Sequence, residues 1–295
     1  MPMMKKLTDI FNEKKQTFSL ELFPPKTEEG YQRLLATIDQ LSQFKPDFIS
    51  CTYGAGGGSR EKTMEIVDSI QKKNHIIGVA HLTCVLHTRS EIKAILENIK
   101  NLGIQNILAL RGDPPQDNPH WKPLDENFKY SSDLCAFIRK NFGDFFSIGV
   151  AGFPEGHVLC KDRDLDAQFL KIKIDSGADY VITQLFFDNK DYFKYVARLR
   201  KLKVKARIIP GILPITDYQN LLRFCNLCGA TVSDEVKRIF GPLEHDKEAT
   251  QKEGINFAIR QCQELLKGGA PGIHFYCLNK VSPTDQILKA VRPYS

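Results

Sequence analysis

Long apolar runs are missing from this chain. The longest, at 106–110 and 180–187, fall far short of the roughly 18 consecutive apolar residues that a membrane span requires. No bilayer crossing is expected. The amino-terminal MPMMKKLTDIF meets an Asp before any apolar stretch of the roughly 7 to 15 residues that a secretory signal contains, so the cytosol is the expected compartment. No stretch rich in Pro, Gly or Ser divides the 295 residues, and one catalytic domain over 1–295 is expected, with no further regulatory domain. A GxSxG nucleophile elbow is also missing, which removes the usual setting for Ser-His-Asp catalysis.

Charge of one sign is not concentrated anywhere. The 41 Lys and Arg are distributed along the chain among 35 acids, for a net charge of +6. A nucleic-acid site would need a basic stripe with interleaved aromatics, and only Lys201, Lys203, Lys205 and Arg207 come close. A solvated surface before a strand is the better reading, and no nucleic-acid partner is expected. The eight cysteines are spread from Cys51 to Cys277 and, without a secretion signal, read as reduced thiols. Cys225 and Cys228 in RFCNLCG have no second ligand pair for zinc and read as neighbours on a helix.

Eight short segments rich in apolar and β-branched residues are present, at 17–24, 48–53, 77–84, 106–113, 147–154, 180–187, 207–214 and 272–279. Each reads as a buried strand. Helical spacing fills the intervals. Thr27, Glu28 and Glu29 give a helix start, followed by Leu34, Leu35, Ile38 and Leu41 on one face, and other helices are expected at 59–73, 90–101, 131–141, 164–175 and 189–202. Eight alternations of strand and helix imply parallel strands with right-handed crossovers that close into a (β/α)8 TIM barrel. The interval between strands 7 and 8 holds extra helices, at 233–240 and 247–267.

Barrel chemistry gathers at the carboxyl ends of the strands, and those ends are polar here: Glu21, Thr52, His81, Arg111 and Asp113, Glu155 and His157, Gln184, Asn279 and Lys280. Alternation places Ser19, Glu21 and Phe23 on one face of strand one and Phe18, Leu20 and Leu22 on the other. If the apolar row faces the helices, Glu21 is inside the barrel. The same parity groups Ser50 with Thr52, Val79 with His81 and Thr83, and Arg111 with Asp113.

Burial between leucines should raise the pKa of Glu21 and suit it to general acid work; the alternative is a carboxylate paired with a buried Arg or Lys. In LALRGDPP, Gly112 allows close backbone approach to a ligand and an acid can hold an NH-rich heterocycle, unless Arg111 and Asp113 simply pair with each other. GAGGGS at 54–59 lacks the lysine of a phosphate loop and reads as a loop, with phosphate binding confined to amides of the following helix. His81, Cys84 and His87 have metal-ligand chemistry, but strand geometry puts His81 and Cys84 on opposite faces; no metal is expected. Tyr53, Phe153, Phe186, Phe187 and Tyr276 lie beside the strand ends and would suit a flat ligand.

In order along the chain, SLELFPPKT, ISCTYGA, AHLTC, ALRGDPP, AGFPEGH, ITQLFFD, IPGILPI and HFYCLN closely resemble the methylenetetrahydrofolate reductase family, in its short bacterial form. The resemblance implies a TIM barrel with noncovalent FAD that takes hydride from NADH or NADPH. It then passes hydride to 5,10-methylenetetrahydrofolate in ping-pong fashion. The product, 5-methyltetrahydrofolate, supplies methyl groups for methionine synthesis.

Carried over by motif, Glu21 is the acid that protonates N10 of the folate and opens its five-membered ring, and hydride from flavin N5 then reaches the exocyclic carbon. Asp113 lies near flavin and pterin, stabilising cationic charge. Gln184 holds the pterin or the nicotinamide amide in turn. Thr52, which borders the cofactor, and Phe224 meet the exchanging ligands. The implied FAD contacts are Tyr53, Ala55, His81, Arg111, Gly112, Asp113, Ser131, Phe153, His157, Asp166 and Lys173. Asn220 and Lys280 are the remaining folate contacts, and a homo-oligomer is implied by analogy.

Four positions depart from the family pattern. Lys280 stands where related bacterial enzymes carry Arg, which loses bidentate recognition of a carboxylate. Asn220 stands where a Gln contacts folate, and Phe169 and Ile172 replace polar residues near FAD, which points to weaker cofactor binding. Two rival functions are a Schiff-base aldolase with Lys280 as nucleophile and a basic nucleic-acid binder with steep salt dependence.

Overall fold

The computed structural model describes residues 4–53, 57–113, 128–160 and 162–292. Its strands are β1 (Thr17–Leu22), β2 (Phe48–Cys51), β3 (Ile77–Thr83), β4 (Asn106–Leu110), β5 (Ser147–Gly152), β6 (Tyr180–Thr183), β7 (Arg207–Ile209), β8 (Gly211–Ile212) and β9 (Gly272–Tyr276). All ladders are parallel, in the order β7-β6-β5-β4-β3-β2-β1-β9-β8. The two ends of that order, β7 and β8, are parts of one chain segment separated by Pro210, so the sheet returns on itself as the expected barrel.

Pro210 explains the split of the expected strand at 207–214. A proline has no N–H to donate to a ladder, but its carbonyl still accepts from His274 N at 2.9 Å, which joins the seventh barrel strand to β9. Several strands are also shorter than their apolar runs suggested. β4 stops at Leu110, so Arg111, Gly112 and Asp113 lie beyond the strand, where alternation no longer decides which way they point.

Eleven α-helices accompany the strands among the described residues. Those following β1 to β6 are α2 (Glu28–Ser42), α3 (Gly57–Asn74), α4 (Arg89–Asn101), α5 (Ser131–Phe142), α6 (Arg163–Asp175) and α7 (Asn189–Lys201). The β8–β9 interval holds α8 (Tyr218–Cys228), α9 (Asp234–Phe240), a 3-10 turn at Gly241–Leu243 and α10 (Lys247–Lys267). Thr27 caps α2 by accepting from Gly30 N, as its sequence start implied.

Helices α1 (Leu7–Glu13) and α11 (Thr284–Val291) had no counterpart among the expected helical segments, and α8 was anticipated only in the helical reading of Cys225 and Cys228. The first of these closes the amino end of the barrel: Leu7 is buried with Phe48, Val79, Leu108, Tyr180 and Ile209 inside the strands, and Leu7 N donates to Asn106 Oδ1 at 2.7 Å.

The main core lies between strands and helices. Phe18, Leu20 and Leu22 pack there with Leu34, Ile38 and Leu41, so the apolar row of β1 does face the helices. Ser19 and Glu21 therefore point inward. Among the described residues no helix is long and apolar enough to cross a membrane.

Candidate active site

Three groups of side chains meet the carboxyl end of the barrel. The first is built on β1, β3 and β9. Parallel register sets Ser19 beside His274 and Glu21 beside Tyr276. Glu21 Oε2 is 3.4 Å from His274 Nε2 and 3.5 Å from His81 Nε2, and its side chain is 18% exposed, so it is reachable from the mouth. The other ring nitrogen of His274, Nδ1, shares a 2.8 Å hydrogen bond with Ser19 Oγ. His274 also stacks on Phe48 below it, and the Tyr276 hydroxyl donates to the Thr183 carbonyl at 2.7 Å.

These partners correct two expectations for Glu21. It pairs with two histidines, not with an Arg or Lys. Burial pushes its carboxyl up, as expected, but the hydrogen bond with His274, helped by smaller contributions from the two neighbouring imidazoles, outweighs that push and leaves the pKa below the ordinary carboxylate value. Burial drives the His81 imidazole down to about 4, further than the neighbouring Glu21 raises it, so His81 is uncharged at neutral pH. His274 and Ser19 complete a hydrogen-bonded row that candidate selection from strand ends missed. The parity of His274 and Tyr276 in GIHFY would have found it.

The second group joins the ends of β4 and β5 to α6. His157 and Phe153 meet edge to face at 4.7 Å, and Lys173 lies 5.4 Å over the Phe153 ring while donating to Ala151 O at 3.0 Å. Asp166 is buried and accepts from His157 N. Burial, then the charges of Arg111 and Lys173, hold His157 below its ordinary pKa; burial and Arg111 likewise lower Lys173, against the pull of Asp166. Basic groups that repel one another across a strand-end cleft suit an anionic group placed among them. That donor set fits the diphosphate of a dinucleotide such as FAD.

Arg111 donates to Gly112 O and lies 3.9 Å from Asp113, whose side chain is fully exposed. This contact is too long for a hydrogen bond, so the two do not form a closed pair. Gly112 has φ +83°, and a Cβ there would sit 2.4 Å from Val85; here the glycine answers backbone geometry and packing. Ser131 is buried at the start of α5. Thr52 follows β2, with its carbonyl accepting from Thr63, and the Tyr53 hydroxyl bonds His87 Nε2 at 3.0 Å. Gln184 is half-buried just past β6, its Oε1 accepting from Leu185 N. Ala55 lies outside the described residues, as does most of the GAGGGS side-chain detail.

The third group lines a cavity of about 380 Å³, within the size of small-ligand sites. Asn220 and Phe224 on α8 and Lys280 after β9 meet there with Phe23, Leu213, Pro214, Leu278, Asp217 and Arg223. Three residues to which the resemblance gives folate contacts thus line one cavity. Phe23 is two residues beyond Glu21, and its backbone N–H and carbonyl bond the Asn279 side chain at 3.0 and 2.8 Å, tying both rims together.

Glu155 serves this side structurally, accepting from Thr231 N through both oxygens. Cys225 and Cys228 both lie on α8 as free thiols, with burial pushing Cys225 up to about 12. Among the described residues no group of three or more His, Cys, Asp or Glu could hold a metal ion.

The family model described as "Methylenetetrahydrofolate reductase" matches residues 6–292. A methylenetetrahydrofolate reductase (NADH) from Arabidopsis thaliana is 36% identical over 288 residues, which are 95% of this chain and 49% of that protein. A 5,10-methylenetetrahydrofolate reductase from Pectobacterium carotovorum is 36% identical over 262 residues, covering 89% of this chain and 85% of its own length. The chain spans about half the length of the plant relatives it matches. Among solved structures, a Clostridium thermocellum protein described as binding two copies of 5-methyl-5,6,7,8-tetrahydrofolic acid matches with TM-score 0.64 at 16% identity, over 97% of this chain and 98% of that one. At that identity the likeness speaks for the barrel.

Proposed function

The chain belongs to the methylenetetrahydrofolate reductase family, and from that premise we propose that it reduces 5,10-methylenetetrahydrofolate to 5-methyltetrahydrofolate. Electrons come from NADH or NADPH through noncovalent FAD, and the product supplies methyl groups for methionine synthesis in the cytoplasm. The observation that carries this reading is a carboxyl group at the barrel mouth, backed by two imidazoles and a serine, beside a cavity with an aromatic wall and a cationic rim.

FAD would be held by Arg111, Gly112, Ser131, Phe153, His157, Asp166 and Lys173, with Thr52, Tyr53, Ala55, His81 and Asp113 around its ring. When bound, it would supply two-electron hydride chemistry between the dinucleotide and the folate carbon. The residues of the chain do the rest.

Glu21 carries a proton to N10 of the folate. Its pKa lies below the ordinary carboxylate value, so the carboxyl group is mostly ionised at rest, and its minor protonated form delivers the proton to N10 through the carboxyl oxygen. Protonation of N10 breaks its bond to the bridging carbon, leaving a cationic carbon that the charge of Asp113 stabilises. Phe224 stacks against the ligand, Gln184 holds the pterin or the nicotinamide amide, and Asn220 and Lys280 hold the remainder. Folate and dinucleotide share these contacts, so they occupy the mouth in turn.

The test is product formation under anaerobic conditions with FAD, NADH and methylenetetrahydrofolate. One 5-methyltetrahydrofolate should appear for each NADH consumed. Glu21→Gln should lose folate reduction by about 10²–10⁴-fold, the usual share of a general acid, while NADH oxidation by an artificial acceptor continues. Equal loss in both halves would remove Glu21 from the acid role.

A further inference from the structure

One seam of the barrel closes without a backbone ladder. Among the described residues β7 pairs with β6 and β8 with β9, but no ladder joins β6 to β8. Pro210 interrupts the strand there, and a proline has no N–H to donate. Past it, Gly211 N donates to the Thr183 hydroxyl at 3.0 Å, and the Thr183 carbonyl accepts from the Tyr276 hydroxyl at 2.7 Å. Two side-chain hydroxyls thus do at the mouth what ladder bonds do elsewhere. Thr183 is fully buried, where an unmade hydrogen bond is costly.

Tyr276 reaches β6 because position 211 is glycine. Alternation puts Gly211 on the same inner face as Ile209, and Tyr276 on the same inner face as His274. A Cβ on Gly211 would lie 2.7 Å from both Cε2 and Oη of Tyr276 and 2.3 Å from the Thr183 carbonyl oxygen, so the ring crosses the barrel wall where the side chain is missing. Its near end is the register partner of Glu21 and meets His274 edge to face at 5.6 Å. Its far end is bonded to Thr183, the residue before Gln184. Burial, and then the charge of Glu21, hold the phenol well above its ordinary pKa, so it stays a donor.

We propose that Tyr276 is a positioning residue: by tying the end of β6 to β9 across Gly211, it fixes Gln184 relative to Glu21 and so sets the fit of both exchanging ligands. The proposal rests on the reading above, in which Gln184 holds the pterin and the nicotinamide amide in turn. Gln184 Oε1 is committed to Leu185 N, which leaves the amide N–H groups for the ligand. Where they point follows from where the backbone of β6 ends. That end is held on the β5 side by Gln184 N donating to Gly152 O at 2.8 Å, and on the open side by the tyrosine. Tyr276 acts through Gln184, not on the reacting atoms.

The experiment is a double-mutant cycle of Tyr276→Phe and Gln184→Ala in FAD-loaded protein, read as kcat/KM for NADH and for methylenetetrahydrofolate, with the FAD dissociation constant from flavin fluorescence alongside. Tyr276→Phe should lower both kcat/KM values about three- to tenfold, the yield of one buried hydrogen bond. The loss should come mostly through KM and leave the FAD constant unchanged. In the Gln184→Ala background the same change should cost less than about twofold, because residues that act through one another are not additive. Thr183→Val, which removes the acceptor for Gly211 N and opens the same seam, should reproduce this pattern and carries the cycle if Tyr276→Phe does not fold. Equal losses in the two backgrounds, or none in either, overturn the proposal while leaving the proposed function standing. A loss confined to the folate substrate also overturns it, assigning Tyr276 to Glu21, which only that half-reaction uses. If wild type forms no methyl product, the folate reading itself fails and the positioning role falls with it.

Discussion

Glu21 is a buried carboxylate whose pKa is set by residues far from it in sequence. That it points into the barrel was legible from the alternation of β1; the direction of its pKa was not, because His274 reaches it from β9, 253 positions away. Replacing His274 by Asn removes the hydrogen bond and charge that hold Glu21 down and leaves burial to raise it. The alkaline limb of folate reduction should then move to higher pH, while the NADH half-reaction keeps its profile; an unmoved limb would separate His274 from the acid.

His81 carries a stability consequence. Its folded pKa of about 4 lies below its ordinary 6.5, so between those values the unfolded chain binds more protons and stability rises with pH. The depressed Glu21 acts in the same sense, its stabilisation being lost as pH falls through its folded pKa. Denaturant unfolding should show the protein losing stability between about pH 7 and 4.5, and His81→Gln should spare on the order of 2 kcal/mol of that loss.

At the scale of elements, apolar runs located every barrel strand but not their ends. Pro210 divides one run, and Arg111 to Asp113 leave another, because ladder bonds stop where the neighbouring strand stops. Helices α1, α8 and α11 are short, and their burial is decided by what they cover, which local periodicity does not report. Gly254 on α10 is one such tertiary requirement: a Cβ there would lie 1.7 Å from the carbonyl oxygen of Ile215, at the cavity wall. Alanine would gain about 1 kcal/mol of helix propensity, but the clash is with backbone. Gly254→Ala should therefore destabilise by about 1–3 kcal/mol and weaken folate binding; an increase in Tm would refute this packing account.

Helix α6 offers another test. Leu165, Phe169 and Ile172 form an exposed row on it, 41%, 47% and 50% accessible, next to buried Asp166 and half-buried Lys173. If FAD lies along this helix, Phe169→Asn with Ile172→Arg should lower the FAD dissociation constant about tenfold or more in a flavin fluorescence titration, since a charge-assisted hydrogen bond contributes about 1.5–3 kcal/mol. An unchanged constant would place the cofactor elsewhere.

For the whole molecule, counting eight alternations was enough to anticipate closure, because parallel strands with right-handed crossovers leave few alternatives. The barrel brings Glu21, the basic cluster of Arg111, His157 and Lys173, and the cavity of Asn220, Phe224 and Lys280 to one end. Convergence of strand-end residues was legible for the same reason. The Ser19–His274 row and Arg223 were not selected, since one lies below the strand ends and the other on a helix of the longest crossover.

Passage of electrons from dinucleotide to folate at this single mouth can be followed in an anaerobic absorption spectrum of the purified, FAD-supplemented protein. Flavin bands should bleach on addition of NADH and return on addition of methylenetetrahydrofolate. Bands that never form with added FAD, or that bleach and stay bleached in the presence of the folate, would contradict it.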